Sequence, residues 1–444
     1  MLAVISDLHF KEQDNILDGN RNLDPDVYHR LIEALLIEVL RCRAKKMDLV
    51  LAGDIFEIGR SIVWLEKGKR PYVENPRLTA DRTLENIALE ILHKITAKGR
   101  NPRVYDSLSA FRRLSDFPVP VKIHYIPGNH DRLLNATGLL RKKTRETLGM
   151  GSSEKPFKNQ LLFNNPNVLV RHGHEYDKFN FSETLLPLKC IPLHPASTIG
   201  DNPYDWPCFG DMVTIEVAAR MPWEFFKLYR KEIESKDGLH EKIYLRMLDF
   251  DDVRPKAAIL PFLFATPDVS EANIWKTVRP VMSIIADELK NNPDFHQLLK
   301  NSPLRTVDKA MGLAFTQILC RPKMAGRFRR LVKRGFRLYS NVPSDIVKVF
   351  AMKEEVISKG IVDLLVCGHT HAPQIGLVHR TDRERYYINT GTWRGVIPAI
   401  PDNRGFGRMK TISYVTIYSK DEKRDQKENK TLSFEFWSGY AHQL

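Results

Sequence analysis

Five short apolar runs in this sequence end alike, on a tight polar turn carrying groups that bind metals or move protons. Leu2–Ser6 runs into Asp7-Leu8-His9, and Met47–Ala52 into Gly53-Asp54. Val121–Ile126 passes through a Pro-Gly turn into Asn129-His130-Asp131. Val168–Arg171 stops at His172-Gly173-His174, and Val362–Cys367 at Gly368-His369-Thr370-His371. Runs this short and this uniformly apolar read as strands buried on both faces. Between the first two, Asp24-Pro25 supplies an N-cap carboxylate and a first-turn proline. Val27, Leu31, Leu35 and Val39, beside Tyr28, Ile32, Leu36 and Leu40, then form a wide apolar stripe at helical spacing. The order β-α-β begins an α/β sheet, in which sites gather at the C-terminal ends of the strands.

The rest of the chain divides in two. Residues 58–120 are helical and basic in pattern, and Leu84, Ile87, Ala88, Ile91, Leu92 and Ile95 mark one amphipathic helix, closed by Gly99. From about 176 to 349 the character changes. Pro187, Pro192, Pro195, Pro203, Trp206 and Pro207 crowd its start, and helical patterns follow near 211–235, 271–291, 304–319, 323–338 and 343–358, with no convincing strand. This block reads as a mainly helical cap (176–349) inserted into a core formed by 1–175 and 350–444. Past the last histidines come strands at Tyr386–Ile388, Thr411–Tyr418 and Leu432–Trp437. The turn Asn389-Thr390-Gly391-Thr392 is expected to shape the floor of a site.

Composition narrows the setting. Five scattered cysteines (Cys42, Cys190, Cys208, Cys320, Cys367), with no CxxC pair, favour reduced thiols over a disulfide framework or a zinc-thiolate site. No leader is visible, and no apolar run approaches the roughly 18 residues needed to span a bilayer, so a cytoplasmic protein is expected. A formal net charge of +14 fits an anionic partner or a generally basic surface. Oligomeric state is not readable.

The chemistry lies in the set as a whole. Asp7, His9, Asp54, Asn129, His172, His369 and His371 are seven ligand-type side chains of carboxylate, amide and imidazole character. One ion would be overcoordinated by them, and a structural zinc takes four ligands, usually with sulfur. Two divalent cations about 3.5–4 Å apart form a clamp for in-line displacement at phosphorus and activate solvent as the nucleophile.

The set resembles the calcineurin-like metallophosphoesterase superfamily, whose blocks Asp-x-His, Gly-Asp, Gly-Asn-His-Asp/Glu, His-Gly and Gly-His-x-His all occur here in order. The resemblance covers about 1–175 and 350–444. It implies a four-layer sandwich, two mixed β-sheets flanked by helices, with the site at the sheet edge. It also implies that Asp7, His9 and His371 hold one metal, that Asn129, His172 and His369 hold the other, and that Asp54 bridges them. His130 would be the general acid toward the leaving oxygen, with Asp131 as its orienting partner. Manganese is the expected metal, with iron, zinc or others open, because such ligands are not selective.

Substrate is the open question. Arg132, His174 and Arg394 lie beside the motifs as candidate substrate contacts, or as ordinary solvated side chains, and Glu57 reads as a solvated helix residue in preference to a side chain that supports the metal ligands from behind. Within the insertion, Arg321–Arg337 carries eight basic side chains and no acid, with Phe328 and Phe336 interleaved. That suits nucleic acid or an anionic membrane surface, or else a solvated helix face. Three functions follow. The first is a phosphodiesterase acting on a nucleotide or nucleic acid. The second is a lipid-linked or nucleoside-diphosphate pyrophosphatase, resembling the enzymes that cleave UDP-diacylglucosamine, although those typically have arginine where this chain has His130. The third is a scaffold that has lost catalysis, like the retromer subunit of this superfamily, which the complete ligand set opposes.

Overall fold

The structure is a computed structural model that describes residues 1–13, 21–72, 82–177, 180–181, 204, 207–254, 258–293, 295–296, 348–349, 351, 354–380, 383–400, 405–419, 422 and 433–441. Strand β1 (Leu2–Ile5) is followed by helix α1 (Pro25–Arg41), β2 (Met47–Ala52), α2 (Val63–Glu66), α3 (Thr83–Thr96), α4 (Pro102–Arg112), β3 (Val121–Ile126) and α5 (Gly138–Thr147). Next come β4 (Gln160–Asn164) and β5 (Asn167–Arg171). The middle of the chain forms α6 (Phe209–Val213), a π-helical turn (Thr214–Ala219), α7 (Arg220–Leu228), α8 (Arg230–Glu234), α9 (Leu239–Leu248), β6 (Val253–Arg254), α10 (Ile259–Phe264) and α11 (Glu271–Leu289). The chain continues through α12 (Glu355–Ser358), β7 (Leu364–Cys367), β8 (Gln374–Arg380), β9 (Glu384–Asn389), β10 (Gly395–Pro398), β11 (Met409–Tyr418) and β12 (Ser433–Ala441).

Two mixed sheets result. One has the order β3-β2-β1-β11-β10-β6 with β12 paired to β11, and the other β4-β5-β7-β9-β8. Alternation along each strand explains the layers, because successive side chains leave opposite faces. Leu2, Val4, Val50, Ala52, Ile126, Val168, Val170, Leu364, Val366 and Ile388 share one fully buried cluster between the sheets. Their neighbours Ala3, Ile5, Leu49 and Leu51 pack outward beneath the helices of the first sheet, and Leu169, Leu365 and Cys367 do the same on the far side of the second. Strands covered on both faces have no polar side to show, which is why these runs are continuously apolar.

Local chemistry sets the helix boundaries. The Asp24 side chain accepts from the Asp26 N–H and Pro25 opens α1, whose buried face is Tyr28, Leu31, Ile32, Leu35 and Val39. Leu40, expected in that stripe, faces solvent at 60% exposure, so the stripe is narrower than its pattern suggests. Helix α3 ends at Thr96, where extended Ala97 caps it, and not at Gly99.

The segment 176–349 differs from expectation in adding α9 and α10 outside the expected helical patterns, and in its sheet pairing. It contributes a strand, β6, pairing in parallel with β10 through Val253 opposite Ile397 and Arg254 opposite Pro398. Two residues are too few for a periodic signal. The helical patterns at 304–319 and 323–338 lie outside the described residues, as does the basic run Arg321–Arg337. No described helix is long and apolar enough to cross a membrane.

Candidate metal centre

Parallel pairing aligns the strand ends. β1 runs parallel to β2 and β2 to β3, while β5 runs parallel to β7 and β7 to β9. All these strands therefore finish on one edge, and backbone hydrogen bonds knit their turns together. Asp7 N donates to Gly53 O at 3.0 Å, His9 N to Asp54 O at 2.9 Å, Gly368 N to His172 O at 2.8 Å and Trp393 N to Asp7 O at 3.0 Å.

The turns are tight enough to force unusual backbone. Asp7, His9, Asp54, His369 and His371 all have positive φ, between 48° and 71°. Such conformations cost about 1–3 kcal/mol each and persist only where surrounding structure imposes them, typically at functional sites. Two glycines permit the close approach. A Cβ at Gly128 would collide with the Asp54 carboxylate, and one at Gly368 with the Asp7 carboxylate and Ser6.

Among the described residues three groups could hold an ion, and two of them draw only on the expected ligands, Asp7 with His9 and His371, and Asp54 with His172 and His369; the third joins His9 to Glu57 and His130. In the first, His371 Nε2 lies 3.3 Å from Asp7 Oδ1 and 2.8 Å from His9 Nε2. In the second, His172 Nε2 lies 3.1 Å from Asp54 Oδ2. The same Asp54 oxygen is 3.9 Å from His9 Nε2, so one carboxylate stands between the groups. Asn129 sits alongside, between Gly128, packed on Asp54, and His130, whose N–H donates to Asp54 Oδ1 at 2.9 Å.

Tautomers and orphaned atoms fit divalent cations here. His172 Nδ1 donates to Ala52 O at 2.8 Å, which makes Nε2 the nitrogen able to ligate once its proton leaves, and that atom is buried without a hydrogen-bond partner. The Asn129 side-chain oxygen is likewise buried and unpartnered. His9 gives Nδ1–H to Glu57, and His369 gives Nε2–H to Asp177 at 3.1 Å. Each imidazole thereby keeps one nitrogen for its group. Burial pulls the His172 imidazole down, but Asp54 and Asp7 hold it up at about 10, and burial raises the Asp54 carboxyl less than His172, His130 and His9 lower it. In the metal-free protein, protons balance the buried carboxylates, and a cation would take their place.

His130 is placed for proton work. Its Nδ1 bonds Glu57 Oε2 at 3.0 Å, and its side chain is 20% exposed against 0–1% for His9 and His172. Burial lowers its pKa, yet Glu57 and Asp54 outweigh that and lift it to about 9.

Several expectations are corrected. Asp131 accepts from the backbone N–H of Gly128 at 2.6 Å and Ile55 at 2.8 Å, tying two turns together, and Glu57 is the carboxylate on His130. Glu57, read first as a solvated helix residue, is instead buried behind the ligands and bonded to His9, His130 and Arg394. Arg132 and Arg394 are buried in ion pairs, with Asp211 at 3.1 Å and Asp252 at 2.6 Å respectively. His174 is also buried, against Phe181 and Tyr204, and burial drives its pKa to about 3. Asp177 and Asp252 carried no sequence signal, since neither belongs to a ligand-type motif and Asp252 is one of three neighbouring acids with Asp249 and Asp251.

Residues 1–208 match the family described as calcineurin-like phosphoesterase. The chain carries a calcineurin-like phosphoesterase domain. It is accordingly a metal-dependent phosphoesterase of α/β fold. The matched stretch includes the first four blocks of the phosphoesterase, and His369 and His371 lie beyond it. No curated protein matches the chain.

Proposed function

We propose that the chain is a dinuclear phosphodiesterase acting on a nucleotide or nucleic acid in the cytoplasm, with 176–349 serving as a cap over the core. Asp7, His9 and His371 hold one cation, Asn129, His172 and His369 the other, and Asp54 reaches both. When bound, the cations supply Lewis acidity at the phosphoryl group and lower the pKa of water, manganese being our first choice. Phosphodiester cleavage also needs a proton for the departing oxygen. The observation that carries the reading is His130, which Glu57 orients through Nδ1 at 3.0 Å and which is the most open imidazole at the site.

The organic part of the substrate has room nearby. A cavity of about 290 Å³ shares Glu57 as a wall and is lined by Trp223, Phe226 and Tyr244, with Arg60 and Lys94. Aromatic faces beside cations suit a base and its phosphates. A pyrophosphatase acting on a lipid-linked nucleotide is the second reading, and the histidine at 130 counts against it.

The test compares phosphomonoesters, cyclic nucleotides, single-stranded nucleic acid and nucleoside-diphosphate lipids on metal-loaded protein. Diester turnover should dominate, and His130→Ala should lose most of it on poor leaving groups, by about 10²–10⁴-fold, with both metals retained. Preferred cleavage of the diphosphate lipid would replace the first reading with the second.

A further inference from the structure

The first sheet ends at β3, which pairs with β2 and with no other described strand, and β4 likewise ends the second sheet. Met47 N donates to Pro120 O at 3.0 Å, which sets the parity of the β2–β3 ladder. Lys122 and His124 therefore turn their backbone groups toward β2, while Val121 and Ile123 turn theirs outward. Beside that outward edge lies a groove of about 850 Å³, walled by β3 and β4 on the sheet side and by the C-terminal ends of α4 and α5 on the other.

The charge of that wall has one sign. Arg112, Lys122, Arg145 and Lys158 line the groove, and among its described residues there is no Asp or Glu. Asp48, opposite Lys122 on β2, is bonded by His124 at 2.7 Å. Arg145 is partly buried, lies 3.9 Å over the Phe157 ring and gives Nη1 to Ser153 O at 2.7 Å, with no carboxylate among its described partners. A lysine on an edge strand commonly serves to block pairing with another copy. Lys122 alone meets that need. Three further cations make a second copy of this edge a worse partner still, because like charges would meet, and they complement an acidic one.

We propose that this groove docks an extended acidic segment of a partner protein, which joins the first sheet as a strand beside β3. The two faces of β3 give the pattern such a segment carries. Val121 and Ile123 pack against the helix-covered apolar cluster that includes Leu114 and Phe157, whereas Lys122 and His124 lie on the opposite face. An added strand continues both faces, so apolar side chains alternate with acids along it. Main-chain hydrogen bonds to the outward edge supply affinity, and the cations select the acids.

The probe is a fluorescein-labelled peptide of about eight residues, alternating valine and glutamate, titrated with the full chain and read by anisotropy. It should bind saturably, and a peptide alternating valine and lysine should not. Methylating the amide nitrogens of the valines in one peptide, and of the glutamates in another, keeps the charge while removing one edge of donors. At least one of the two should bind about tenfold more weakly. Lys122→Glu combined with Lys158→Glu should weaken the parent peptide by about tenfold or more, with turnover at the metal centre unchanged. Ile123→Pro, which deletes one outward N–H on an edge strand, should do the same, and if it does not fold the doubly substituted chain, altered only at exposed side chains, decides. Full affinity for both methylated peptides, or full affinity of the doubly substituted chain, overturns the inference. So does a lack of saturable binding. Displacement of the peptide by an equal concentration of oligothymidylate overturns it too, because the groove would then be a nucleic-acid surface.

Discussion

Replacing Glu57 by glutamine separates the two jobs of one buried carboxylate. Glu57 accepts from His9 Nδ1 with one oxygen and from His130 Nδ1, at 3.0 Å, with the other. Glutamine has a single carbonyl oxygen, so one imidazole must face an NH₂ group instead. If that is His9, its proton shifts to Nε2 and a metal ligand is lost. Ligation to the cation opposes that arrangement, so the amide NH₂ turns to His130, which becomes neutral with Nδ1 accepting. The lost charge-assisted hydrogen bond is worth about 1.5–3 kcal/mol. Expressed fully in the transition state, that is about 10- to 150-fold in rate. The assay compares kcat on a nitrophenyl diester, whose leaving group needs no proton, with kcat on an alkyl diester, whose leaving group does, at saturating metal. The loss should appear on the alkyl substrate and be slight on the nitrophenyl one. Equal losses on both, with full metal content, would refute the assignment of Glu57 as the positioning residue for His130.

Asp54→Asn should empty at least one cation position, read by elemental analysis, because its carboxylate stands between both ligand groups. Gly128→Ala should cut metal affinity or turnover by more than tenfold while leaving secondary structure intact, since the new methyl collides with the Asp54 carboxylate. Leu364→Ala, in the inter-sheet cluster, should cost about 2–5 kcal/mol in denaturant unfolding with metal content preserved.

Much of this arrangement was legible because its signals are local. Continuous apolar runs followed by polar turns marked the strands of the parallel core, and ligand types at their ends marked the site. The remainder is decided at a distance. Glu57 lies three residues beyond Asp54 in Gly-Asp-Ile-Phe-Glu, and nothing in that spelling distinguishes a buried acid from a solvated one. Only the approach of His9 and His130 does so. The resemblance makes Asp131 the partner of His130, but its side chain accepts from Gly128 of its own turn and from Ile55 of the neighbouring one. Strands β4, β8 and β10 sit beside partners that the sequence does not name. β6 is legible only through the strand it joins.

That two-residue pairing has a thermodynamic consequence. Because β6 extends the sheet that holds β1, and Asp252 is the nearer carboxylate on the buried Arg394 guanidinium, detaching residues 176–349 would leave that guanidinium with Glu57 alone, at 3.4 Å. Removing one partner of a buried ion pair costs up to about 3–5 kcal/mol. Heating should thus melt the inserted helices and the two sheets in a single calorimetric transition, and a chain trimmed of the insertion should not retain the whole of the remaining fold.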